Sequence, residues 1–148
     1  MKIMRILVIC VLCVMLFGCS NISDKKYELF RKEFIYEYLR LTEQISENNI
    51  EDSLKYLNSN KAQEGMERLK ILLDDNKNNI PNDKTRIYQE YIKWYNDIES
   101  IMSFTDKYWG ELTPDDRMHI DAIISNTDAR KRDIKKEQEM IELSNSRK

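Results

Sequence analysis

Apolar residues recur every three or four positions along most of this chain, which is the spacing of one face of an α-helix. Tyr27, Phe30, Phe34, Tyr38, Leu41 and Ile45 form the first such stripe. It predicts a helix over about 24–47, capped by Ser23 or Asp24 and ended by Asn48-Asn49. A second stripe starts at Ile50, Leu54 and Leu57 and resumes at Met66, Leu69 and Leu72-Leu73. It predicts a helix over about 50–75, weakest where Asn58-Ser59-Asn60 and Gly65 interrupt it with poor helix formers. Asp74 to Asn79 is polar and reads as a loop, after which Pro81 suits a first helical turn.

The third stripe is the most regular. Ile87, Tyr91, Trp94, Ile98, Ile101, Thr105 and Tyr108 step by four and three, as in a heptad seam. It predicts a helix over about 82–109, stopped by Gly110 in a left-handed turn. Thr113-Pro114-Asp115-Asp116 then supplies an N-cap, a proline at the first position and acids in the first turn. The fourth helix, over about 114–144, carries Ile120, Ile123, Ile124, Thr127, Ile134 and Ile141. No stretch alternates with the period of a strand. The expected fold is all-α, an antiparallel bundle of four amphipathic helices, each about 36–46 Å long. The alternative is a three-helix bundle with a projecting fourth helix.

The first eighteen residues differ from all this. Lys2 and Arg5 precede an unbroken apolar run from Ile6 to Phe17. Twelve residues are too few to span a bilayer, which takes about 20, but they fit the hydrophobic region of a secretory signal. The run closes on Leu16-Phe17-Gly18-Cys19, an aliphatic residue three before a cysteine and a small residue directly before it. This resembles the lipobox of bacterial lipoproteins. The resemblance covers about nineteen residues, and no family is recognised for the rest. It implies diacylglyceryl transfer to the Cys19 thiol, with fatty acyl chains such as palmitate, and cleavage of residues 1–18. It also implies a membrane location on the extracytoplasmic face. In a two-membrane host, Ser20 would not supply the usual aspartate signal for inner-membrane retention, which implies the outer membrane.

This reading accounts for the cysteines. Cys10 and Cys13 leave with the signal and Cys19 becomes a thioether, so the mature chain has no disulfide and depends on its core. Of 148 residues, 24 are basic and 26 acidic. Losing Lys2 and Arg5 leaves 22 basic residues against 26 acidic ones, a net charge of −4. That balance opposes nucleic-acid binding. Residues 19–23 would be the lipidated cysteine and a short tether, whose four residues 20–23 reach about 14 Å when extended. The bundle would therefore stand on the membrane, with its 48–50 and 109–114 turns facing away.

Catalytic chemistry is not visible. His119 is the only histidine and pairs at helical spacing with Asp116, but a bundle metal site needs further such pairs, so no metal or other cofactor is expected. The carboxylate pairs Asp74/Asp75 and Asp115/Asp116 lie where capping explains them. The aromatic set Tyr88, Tyr91, Trp94, Tyr95, Tyr108 and Trp109 is the best site candidate, although Tyr91 and Trp94 fall on the seam and read as core. Tyr108, Trp109 and Leu112 flank the turn expected at the distal tip and are the candidate partner contact, since Trp and Tyr are enriched at interfaces. The basic cluster Arg130-Lys131-Arg132, Lys135-Lys136 and the terminal Arg147 and Lys148 are candidates for contact with anionic lipid. The expected function is non-enzymatic: a membrane-anchored protein that meets an envelope partner in immunity, exclusion or envelope assembly. The alternatives are a module for cell-wall glycan or another small ligand, and a self-assembling structural lipoprotein.

Overall fold

A computed structural model describes the backbone of residues 2–107 and 109–145 and the side chains of 22–107 and 110–140. The described chain is all-helical, with no strand among the described residues. Five α-helices follow one another: α1 (Lys2–Thr42), α2 (Ile50–Leu57), α3 (Asn60–Asn76), α4 (Thr85–Met102) and α5 (Pro114–Asn145). Single 3-10 turns at Asn82–Lys84 and Trp109–Glu111 lead into α4 and α5. Among the described residues no helix is long and apolar enough to cross a membrane.

The expected stripes form the core, but the helix ends move. The first helix has no cap at Ser23 or Asp24, because its backbone is helical from Lys2 onward. Residues 20–23 are therefore a stretch of helix and not an extended tether. Its other end comes early, at Thr42, whose hydroxyl donates to the Tyr38 carbonyl at 2.7 Å. Ile45 lies in the turn that follows and is still fully buried. Asn49 does not close α1; it caps α2, its side chain accepting from the Asp52 N–H at 3.3 Å.

The weak point of the second predicted helix is a true break. Asn58 ends α2, and Ser59 caps α3 by accepting from the Ala62 N–H at 3.3 Å. Gly65 lies inside α3, where a Cβ would come within 3.0 Å of Leu41 Cδ1 on α1. The missing side chain sets how closely α3 approaches α1. Glu37 joins the same pair of helices, accepting from Arg68 Nε at 3.0 Å.

The fourth helix ends at Met102, not near residue 109. Ser103 and Thr105 hydroxyls donate to the carbonyls of Ser100 and Met102, at 2.7 and 2.8 Å. These local bonds satisfy orphan carbonyls and turn the chain out of the helix. Gly110 is not a left-handed stop, because no described glycine has a positive φ. A Cβ at Gly110 would meet nothing within 4 Å. Gly110→Ala is accordingly expected to be neutral or to stabilise by up to about 1 kcal/mol, through lost freedom of the unfolded chain. A chemical denaturation midpoint would check this. A marked loss would restore the left-handed reading.

Packing joins neighbouring helices through one aromatic ladder. Tyr27, Phe30, Phe34 and Tyr38 of α1 are all at most 2 % exposed. They meet Tyr88, Tyr91 and Trp94 of α4, with Phe34 and Tyr91 stacked at 4.6 Å and Tyr38 and Trp94 at 5.2 Å. At the start of α4 the core face is Tyr88, whose hydroxyl donates to the Leu73 carbonyl at 2.7 Å. Ile87, expected on the seam, is 43 % exposed. There α4 has just left α3, so its buried face turns toward α3. On α5, Ile120, Ile123, Ile124, Thr127 and Ile134 are buried as the stripe predicts; the side chain of Ile141 lies outside the described residues.

Candidate interaction face

The Thr113–Asp116 pair is a reciprocal capping box. The Asp116 N–H donates to Thr113 Oγ1 at 3.1 Å and the Thr113 N–H to Asp116 Oδ2 at 3.2 Å. Those bonds with Thr113 hold the Asp116 carboxyl below its usual range. His119 is turned to α4, where its Nε2 pairs with Ser100 Oγ at 2.9 Å and its ring meets Phe104 edge-on. Among the described residues no group of three His, Cys, Asp or Glu side chains gathers that could hold a metal ion.

Leu112, expected to be a partner contact, is 4 % exposed and belongs to the core. Burying it under the Trp109–Glu111 turn seats the start of α5, so it presents no surface. Tyr108, Arg147 and Lys148 lie outside the described residues, as do the side chains of Trp109 and Cys19.

Arg130 and Lys131 of the basic cluster on α5 are turned inward. Arg130 pairs with Asp97 at 2.5 Å, and its guanidinium lies over the Trp94 ring at 5.6 Å. Lys131 pairs with Asp128 at 2.6 Å and donates to the carbonyls of Thr42 and Ile45. The other oxygen of Asp128 accepts the Glu47 N–H at 2.9 Å. Burial pushes the Asp128 carboxyl up, but the Lys131 and Glu47 hydrogen bonds and the charges of Lys131 and Arg132 outweigh it, leaving it below its usual range. This clasp fastens the α1–α2 turn to α5 and gives Lys131 as a donor to the last carbonyl of α1 and to that of Ile45 in the turn. Arg132 is exposed and reaches Glu47 at 3.8 Å, and Lys135 and Lys136 are exposed as well.

A groove of about 710 Å³ runs beside the aromatic ladder, lined by Tyr27, Arg31, Ile87, Tyr91, Trp94 and Glu137 among others. Arg31 and Glu137 bridge it as an ion pair. Burial, with Tyr91 close by, pushes Tyr27 up to about 12, so it stays a neutral phenol. Tyr91 is 3 % exposed and Trp94 lies under Arg130, so neither ring offers an open platform to a sugar.

The open apolar surface is elsewhere. Ile22, Leu29 and Tyr36 on α1 are 58, 58 and 65 % exposed, and Ile71 on α3 is 50 % exposed. The three α1 residues are seven apart, so they make one row, drifting only about 20° per step of two turns. Tyr36 is a ridge between two grooves. Toward α3 lies one of about 360 Å³, lined by Glu33, Tyr36, Glu37, Arg68, Ile71 and Leu72. Toward α5 lies one of about 610 Å³, whose lining includes Leu39, Arg40, Lys131, Arg132 and Lys135. The carboxylate of Glu37 draws in both Arg68 and Arg40, at 3.0 and 2.8 Å. Sequence reasoning missed this row because the core stripe on the same helix dominated the pattern. Its signal was the strict spacing of seven in positions outside that stripe.

The chain matches no family model, no curated protein and no solved structure.

Proposed function

We propose that this is a lipid-anchored, extracytoplasmic helical bundle that acts by protein–protein contact and carries no catalysis. The observation that carries the anchor is the apolar run ending on Leu16-Phe17-Gly18-Cys19. The contact surface is the outward row of Ile22, Leu29 and Tyr36, with Ile71 beside it. Large apolar side chains left exposed along one helix face support an interaction site there.

The bundle itself is an up-down-up-down one in which α2 and α3 share the second position. Contact pairs support this. Leu41 meets Gly65 and Tyr36 shares a groove with Ile71, so the α1–α3 contacts run in opposite order. Arg31 meets Glu137 while Thr42 meets Lys131, so the α1–α5 contacts do as well. Phe30 meets Tyr88 and Tyr38 meets Trp94, which sets α4 in the direction of α1. The α3–α4 link and the end of α5 then return to the end where Cys19 lies.

Metabolic labelling with a clickable fatty acid tests the anchor. The wild-type chain is expected to take up the label, lose the mass of residues 1–18 and sediment with membranes. Cys19→Ala is expected to remain unlabelled and full length. A labelled Cys19→Ala chain, or an unlabelled wild type, would sink the reading.

A further inference from the structure

We infer, on the anchored reading above, that charge divided along the bundle axis holds the body upright on an anionic bilayer and keeps its far end off the lipid. The partner is the lipid surface itself, met by charge and by distance.

Contacts between the helices fix which residues share a height. Leu41 lies level with Gly65, Thr42 with Lys131, and Asp97 with Arg130. A plane just above these pairs leaves residues 43–64 and 98–129 on the far side. Those stretches hold 12 acidic residues and 4 basic ones, a net charge of −8 with His119 neutral. The rest of the mature chain holds 14 acidic and 18 basic residues, a net charge of +4. Two ion pairs cross the plane, Lys131 with Asp128 and Arg132 with Glu47. Setting both pairs aside leaves −6 above the plane and +2 below it.

The acids of the far end stand on every element there. Glu43 follows α1, Glu51 is on α2, Glu64 on α3, Asp106 follows α4 and Asp121 is on α5, and all five are exposed. No side of the bundle can be laid on the lipid without bringing carboxylates down to it. The surface potential of an anionic bilayer acts within about a Debye length, ~8–10 Å at moderate salt. Helix α1 runs unbroken from Cys19 to Thr42, which sets the dividing plane about 35 Å along its axis. Upright, the far end lies outside the field of the bilayer; on its side, it lies inside. The lower end carries mixed charge with a small positive excess and meets the same field without that repulsion. Tilt in any direction is thus opposed by the same carboxylates, and no docking contact is needed.

Energy transfer from a dye on Asn58→Cys, exposed at the end of α2, to acceptor-labelled headgroups tests this by reporting the height of the far end. The full chain is made in cells that process lipoproteins, purified, and placed in vesicles of phosphatidylcholine with or without phosphatidylglycerol. With about one third phosphatidylglycerol at low salt, transfer is expected to fall about twofold below its value in phosphatidylcholine alone. In molar salt, where the Debye length is about 3 Å, the two values should agree. Equal transfer at low salt, or a difference that survives molar salt, would overturn the orientation. Glu43→Lys, Glu51→Lys, Asp106→Lys and Asp121→Lys together bring the far end to zero net charge and are expected to abolish the difference. A folded variant that keeps it would overturn the charge division, and the salt response of the otherwise wild-type chain decides the matter should the variant not fold. The mass of the same samples reports acylation. An unacylated chain would sink the anchored reading and this orientation with it, whereas an acylated chain with equal transfer would sink the orientation alone.

Discussion

Replacing Phe34 with alanine is expected to remove about 3–5 kcal/mol of stability. A domain of this size is held by about 5–15 kcal/mol, so much of the population would be near unfolding. The reason is position. Phe34 is fully buried and its ring touches Phe30, Tyr38, Tyr91 and Trp94. Truncation leaves a void between α1 and α4 that four large rings cannot refill without leaving their rotamers. The thermal midpoint, followed by circular dichroism, should fall by more than about 10 °C. Leu29→Ala, five residues earlier on the exposed row, should stay within about 0.5 kcal/mol of wild type when the chain is monomeric. Equal losses for the two variants would contradict the assignment of inner and outer faces.

The second large effect belongs to the clasp between α5 and the α1–α2 turn. Asp128→Asn keeps the shape but removes the charge that Lys131 and the Glu47 N–H share. The loss should be about 2 kcal/mol at neutral pH, as for a hydrogen bond to a charged group. The pH dependence has a definite sign. The folded protein holds the Asp128 carboxyl below its usual range, so the unfolded chain binds the proton more readily. The stabilisation is complete above the ordinary carboxylate value near about 3.9. It fades as the pH falls from there through the lower value of the folded state. Denaturation curves of wild type and Asp128→Asn should therefore converge on acidification. A constant difference down to the lowest pH at which the protein folds would show that the charge is not what Asp128 contributes.

The helical stripes were legible because a buried face of an α-helix must repeat with its turn, and Phe30, Phe34 and Tyr38 could hardly be placed otherwise. Helix ends were not, because distant residues decide them. Lys131, nearly ninety positions away, takes the carbonyls that let α1 stop at Thr42. The break at Asn58-Ser59 was visible only as weakness, since nothing local says that Gly65 will be pressed against Leu41. Leu112 looked like a tip residue because it adjoins a turn, and tertiary packing overrode that. The basic run on α5 looked like a surface patch because charge was counted along the chain. Asp97 and Glu47, which pair with Arg130 and Arg132, come from two other parts of the sequence, and Asp128, the partner of Lys131, stands just before the run.

The continuity of α1 through Cys19 and into the core ladder has a mechanical consequence. Seven residues, 20–26, separate Cys19 from Tyr27, and all are helical. In an anchored chain this stretch is an axle and not a leash: it fixes height and also azimuth. Adding one alanine there would lift the body by about 1.5 Å and turn it by about 100°. Adding seven would lift it by about 10 Å and return it almost to its starting bearing. In such an anchored chain, the side of the protein that faces along the membrane would be written as a phase, in the number of residues between Cys19 and the first buried ring.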